Sequence, residues 1–226
     1  MAYKIKKNPT YFDATVIAIF LITIVLIIGY FVQVFIHSGT RRSIAGLEEP
    51  KQTDVSGGEV TMKKGGYDIT ITFKCSYDID ALVVHTKDYS GDDNMGDVIS
   101  PVDLALAWGK VAEYNEKIDF HWEQHNRRAV CSGLTDREME YFEDIDELTR
   151  SFSNNHMIPA EKAVEKQLKR IRRGDHVRIR GYLVNVDGYN SKINGGSYWY
   201  SSTTRDDTGD GACEIIYVTN IDVYDD

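Results

Sequence analysis

Asp206, Asp207 and Asp210 stand around Gly209 and Gly211, just ahead of Cys213, in the stretch "RDDTGDGACEIIYV". Carboxylates on a glycine-bearing turn are the donor set calcium prefers, since that ion takes several oxygen ligands in a flexible shell. The full spacing of an EF-hand is absent, including its bidentate glutamate. The main expectation is therefore a hairpin connection with Arg205 pairing locally, and calcium is the only cofactor the sequence offers.

The cysteines and histidines suggest other chemistry. Cys213 beside His85 or His156 would make a thiol–imidazole pair, but "ACEIIYV" puts Cys213 at the root of a buried strand, where thiols serve as inert packing. His121 and His125 would share a metal on a helix. On the strand expected there, residues four apart are roughly 13 Å apart, too far for one ion. No serine or cysteine carries a nucleophile signature such as G-x-S-x-G, so no catalytic residue is assigned. Cys75 and Cys213 both lie in apolar strand-like segments and would bridge in an oxidising compartment, or remain two buried free thiols in a reducing one.

Two groups of residues suit binding. Lys169, Arg170, Arg172, Arg173, Arg178 and Arg180 concentrate positive charge that would hold an anion or acidic partner, although the helical half also complements a helix dipole. Tyr198, Trp199 and Tyr200 follow Gly195 and Gly196 and would form an aromatic platform for sugar or peptide. With a period of two, Trp199 points opposite to both tyrosines, so one face belongs to the core.

Elements must position these residues. Ile69, Ile71, Phe73 and Cys75 alternate with polar neighbours, predicting a strand that "ALVVHT" continues or follows. "SPVDLALAWGKV" offers Pro101 at a first helical position and Asp103 in the first turn, predicting a short helix or turn ending near Gly109. Ile118, Phe120 and Trp122 alternate as a strand would. Thr135 and Glu138 have capping-box spacing, and Tyr141, Ile145, Leu148 and Phe152 follow at helical intervals, predicting a helix over 136–152. "SNNHMIP" reads as the loop that ends it, and Pro159 as the start of a second helix with Ala163 or Val164, Leu168 and Ile171 on its apolar face. Gly174 would cap that helix. "DHVRIRGYLVNV", the stretch around Trp199 and "ACEIIYVTNIDVY" complete the strands.

Ahead of this domain, Ala14 to Ile36 forms an apolar run interrupted only by Gln33. At 1.5 Å per residue it spans roughly 34 Å, enough for a bilayer's hydrocarbon core. It is longer than a cleaved secretory signal's apolar region and no small-residue cleavage pattern follows. Lys4, Lys6 and Lys7 precede it and Arg41 and Arg42 follow, a small bias toward a cytoplasmic N-terminus. Residues 1–13 are then a short tail, 14–36 a transmembrane helix in contact with lipid, 37–66 a juxtamembrane linker and 67–226 a soluble domain.

The 226-residue chain carries a net charge of −9, which repels nucleic acid phosphates, so no nucleic-acid partner is expected. At "SPVDLALAWG", "NNHMIPA", "GDHVRIRGYLV" and "RDDTGDGACEIIYV" the chain resembles a family of bacterial single-pass membrane proteins with an exported soluble domain. The resemblance covers most of the soluble domain and implies one intact domain, but brings no activity, ligand or catalytic residue. The Gly174–Val184 pattern also looks like a strand of small OB-type barrels, which need a glycine turn, alternating apolar residues and a glycine at a bend.

The sequence thus predicts an α+β protein: an N-terminal transmembrane helix, then a mostly antiparallel, OB-like or barrel-like sheet with two helices between strands. The expected function is binding or assembly with an envelope protein at the bacterial inner membrane, with the C-terminal domain on the periplasmic side. A structural subunit of a membrane complex, an envelope hydrolase and a calcium-dependent binding domain are the alternatives.

Overall fold

A computed structural model describes residues 11–38, 40–91, 94–204 and 213–225, and within the first of these stretches the side chains of 16–29. Helix α1, Tyr11–Ser38, is 28 residues long and forms one compact unit, with residues from Thr40 onward forming another. Val16, Phe20, Val25 and Leu26 on it are exposed. Among the described residues no helix is long and apolar enough to cross a membrane.

The second unit is α+β, built on a mixed, mostly antiparallel eight-stranded sheet. Its axis is β3, Tyr67–Asp88, preceded by β1, Lys51–Asp54, and β2, Glu59–Lys64. After it come α2, Met95–Ile99, β4, Val102–Ala107, and α3, Gly109–Tyr114. A separate two-stranded hairpin follows, β5, Glu123–His125, and β6, Arg128–Val130. The rest of the chain supplies α4, Asp136–Met139, α5, Ile145–Thr149, β7, Phe152–Pro159, α6, Lys162–Leu168, β8, His176–Asn190, β9, Gly195–Tyr200, and β10, Glu214–Tyr224.

Leu82 pairs with His176 of β8 and also with Ala107 of β4, so the two strands lie on opposite edges of β3. β8 follows one edge from Tyr67 to Leu82, while β2, β1 and β4 take successive parts of the other. β7 pairs antiparallel with β4 and parallel with β10, and β10 runs antiparallel to β8. The pairings therefore pass β3–β4–β7–β10–β8 and return to β3. The barrel-like expectation stops at that circuit: the eight-stranded sheet as a whole is not a closed barrel, because among the described residues β1, β2 and β9 each pair along one edge only.

Gly181 shows why the "GYLV" glycine is needed. A Cβ there would run into the backbone carbonyl of Tyr217 on β10, beside the register shift between Val218 and Asn220. Only glycine lets the two backbones approach so closely there.

β4 and β7 were expected as helix or turn and as loop, and both are strands. Apolar cover on both faces explains the misreading: Leu104 and Leu106 join one core cluster with Ile79, Met157 and Ile179, while Ala105 and Ala107 join another with Phe120 and Phe142. A strand buried on both sides loses the alternation that marks a half-exposed one. The polar residues of β7 are satisfied inside, Asn155 donating to Ser153 Oγ at 3.0 Å and to the Leu104 carbonyl at 3.2 Å.

Other elements are shorter than their patterns. The Thr135–Glu138 capping box forms, but the expected helix over 136–152 splits, because Asp144 accepts from the Glu147 amide at 2.8 Å and starts α5 afresh. Ile118, Phe120 and Trp122 face the core as their spacing requires, yet only Glu123–His125 joins a ladder. The stretch expected as linker supplies β1 and β2, and Ile44 and Leu47 pack on the core.

Candidate active site

Asp103 on β4 and His156 on β7 are directly opposed in the strand register. His156 Nδ1 lies 3.0 Å from Asp103 Oδ1 without the alignment of a straight N–H···O bond, a contact that is an ion pair when the imidazole is protonated. Both residues are buried, Asp103 completely. A carboxylate there needs compensation, because desolvating a charge costs several kcal/mol, on the order of what a well-made ion pair returns.

That compensation comes from the β5–β6 hairpin. Its two-residue turn, Asn126–Arg127, has both φ values positive, 48° and 59°, the signature of a type I′ turn. The second position favours glycine, yet arginine occupies it and sends its guanidinium inward. Arg127 Nη1 donates to Asp103 Oδ1 at 2.8 Å, its Nε and Nη2 to Asp97 at 3.0 and 2.8 Å, and Nη2 also to the Ser100 carbonyl at 2.9 Å. The guanidinium lies 3.8 Å from the centre of the Tyr89 ring. Gln124 Nε2 donates to Asp103 Oδ2 at 3.2 Å and to Asn154 Oδ1 at 2.8 Å. Burial, then the charge of Asp103, pushes the Tyr89 hydroxyl up to about 12, so it stays a neutral phenol.

On the other side of His156 are Trp199, with ring centroids 4.4 Å apart, and Cys213. Cys213 Sγ is 3.5 Å from Asn154 Nδ2, an amide that also donates to the Arg127 carbonyl at 2.9 Å. Burial opposes a charge on His156, but its contacts with Asp103 and Cys213 outweigh that and raise its pKa. His156 and Cys213 share a cleft of about 470 Å³ whose other walls include Asn94, Arg128 and Tyr198. Its size is that of a small-molecule or side-chain site. The arrangement joins a half-buried thiol, an imidazole and a carboxylate in series, the constellation that activates nucleophiles.

Most residues singled out from the sequence lie elsewhere. The basic run disperses: Lys169 pairs with Glu165 at 2.5 Å, Arg172 donates to the Lys169 and Ile171 carbonyls, Arg178 grips Asp78 with two bonds, and Arg180 reaches Asp222 at 2.6 Å. Arg173 is half-buried, and burial and then Arg41 lower its pKa. Arg170 makes no described contact with this group. Tyr198 and Tyr200 are exposed, 77% and 51%, while Trp199 packs inward, as the strand period requires.

All three cysteines are free: of the two alternatives for Cys75 and Cys213, the structure holds separate thiols rather than a bridge, with Cys75 donating to Asp54 at 3.3 Å. Among the described residues no group of three acidic, histidine or cysteine side chains is placed to hold a metal. His121 stands by Asp119 and His125 by Glu123. Asp206, Asp207 and Asp210 lie outside the described residues. His85 is on β3 and is held neutral by burial and Arg173, with Gln124 rather than Cys213 as its partner.

Sequence reasoning missed Asp103, Arg127, Gln124 and Asn154. The one local signal was Asn126, which tolerates positive φ, between two short segments. No protein family, curated protein or solved structure matches the chain.

Proposed function

We propose that this cleft is a thiol-dependent acyl-transfer site, with Cys213 as nucleophile, His156 as the base and acid, and Asp103 holding the imidazole. The carrying observation is that Cys213 and His156 open on one cleft, with the buried Asp103 directly behind the imidazole. Asp103 on Nδ1 leaves Nε2 as the nitrogen available to the thiol proton. Support also comes from position. We read the β3–β4–β7–β10–β8 circuit as an OB-type, partly open barrel, and Asp103 and His156 sit on its second and third strands, the face such barrels use for ligands.

The domain in this proposal is carried on a membrane anchor, α1, with the N-terminus cytoplasmic and the catalytic unit on the outer side of a bacterial inner membrane. Support comes from the uncharged apolar sequence of 14–32. The test of the catalytic reading is acylation. Full-length protein in detergent, treated with p-nitrophenyl acetate, is expected to carry a transient acetyl group on Cys213 by mass spectrometry, absent in C213S. A lasting adduct, or equal turnover by C213S, rejects it.

A second reading, a binding or scaffold module acting on an envelope partner, is favoured by the exposed Tyr198–Tyr200 pair, whose rings stand 5.6 Å apart beside a groove over β2, β3, β8 and β9. Loss of partner capture in Y198A/Y200A, with Cys213 acylation intact, would support that role instead.

A further inference from the structure

The cleft at Cys213 is lined by four consecutive residues of β9, Ser197, Tyr198, Trp199 and Tyr200. Successive residues of a strand face opposite sides of the sheet. A groove that touches four in a row therefore follows the strand's edge rather than one of its faces. β9 pairs with β8 from Gly195 to Tyr200, and among the described residues no strand pairs with its other edge. An edge of that kind presents alternating amide and carbonyl groups, a template for one further strand. Cys213 and His156 stand along the same groove.

We propose that the substrate is an extended peptide that adds as a strand to the outer edge of β9 and thereby delivers a backbone amide carbonyl to Cys213. This rests on the catalytic reading of Cys213 given above. A polyamide is the ligand whose donors and acceptors repeat at the spacing of a strand edge, and strand addition takes its affinity from the main chain. Four residues of β9 give a track of roughly 13 Å, enough to align a tetrapeptide. In the reaction the Cys213 thiolate forms a C–S bond to the carbonyl carbon. The C–N bond then breaks, and the leaving amine takes a proton from the His156 imidazolium. Water next attacks the thioester, giving its proton to His156, and the C–S bond breaks to release the carboxylic acid and restore the thiolate–imidazolium pair.

The test uses the full chain in detergent and two alkylating probes, acetyl-tetraalanyl chloromethyl ketone and chloroacetamide, each rate at Cys213 normalised to that with free cysteine. The peptide probe is expected to react with saturation and at least ~10-fold faster after normalisation, the worth of one or two main-chain hydrogen bonds. N-methylation of alternate amides in the probe should abolish the advantage in one register and spare it in the other. Equal normalised rates overturn strand addition, and so does an advantage that N-methylation leaves untouched at every position. Failure of the catalytic reading has a different signature: chloroacetamide would then label Cys213 equally fast in wild type and H156Q, whatever the peptide probe does.

Discussion

Arg127 meets Asp103 at 2.8 Å from a turn residue held at φ 59°, and this pair places a guanidinium against a fully buried carboxyl group beside His156. Strain in a turn and charge in a core are each unfavourable alone. Together they aim the Asp103–His156–Cys213 series at the cleft.

Removing the arginine should therefore be costly. Arg127→Met is expected to destabilise the folded domain by about 3–5 kcal/mol, the usual result of leaving one partner of a buried pair uncompensated. Adding Asp103→Asn in the same chain should recover part of that loss. Urea unfolding of the two single variants and the double variant measures the coupling; additive effects would mean the pair is not energetically linked.

His156 ties stability to pH in a stated direction. Its folded pKa is raised above the ordinary 6.5 through Asp103 and Cys213, against the opposing effect of burial. The protonated form is thus favoured by folding. Its contribution is fully present below pH 6.5 and is lost as pH rises through the folded value. The stability of wild type minus that of His156→Gln should decline over that window, and a flat difference from about pH 5 to about pH 9 would contradict it.

The three thiols should differ in order of reaction. Burial, with Asp54 adding to it for Cys75, pushes the Cys75 and Cys131 thiols up, so both are mainly protonated at neutral pH. Iodoacetamide is expected to modify Cys213 first, with Cys75 reacting only on unfolding. His156→Gln should lower catalytic turnover by about 100-fold or more, the typical worth of a general base. Peptide mapping after timed alkylation gives the order.

Gly181→Ala tests the close approach of β8 to β10. A methyl group would press on the Tyr217 backbone carbonyl, which has no flexible side chain to move aside. A loss of about 1–3 kcal/mol is expected, read as a lower urea midpoint, without change in Cys213 chemistry if the β8–β10 contact alone is affected.

The anchor is tested separately from the site. Full-length protein should remain in the membrane pellet after alkaline carbonate extraction, while a chain lacking residues 1–39 should not. In intact cells of known sidedness, a membrane-impermeant maleimide that reaches Cys213 places the domain outside; protection until lysis places it inside.

Local rules reached a good part of this molecule. The apolar stretch that becomes α1, the alternation of β3, the Thr135–Glu138 cap and the opposition of Trp199 to Tyr198 and Tyr200 depend on neighbours a few residues away, and sequence displays those directly. The strands that hold the site were hidden because β4 and β7 are covered on both faces, which erases the periodicity by which strands are recognised. Only tertiary structure decided that Asp103, read as a helix-start acid, opposes His156, read as a loop residue, and that His156 meets Cys213. Those contacts join residues more than fifty positions apart, and their geometry is set by strand register and by a turn that points one arginine inward. Composition and spacing carry no record of either.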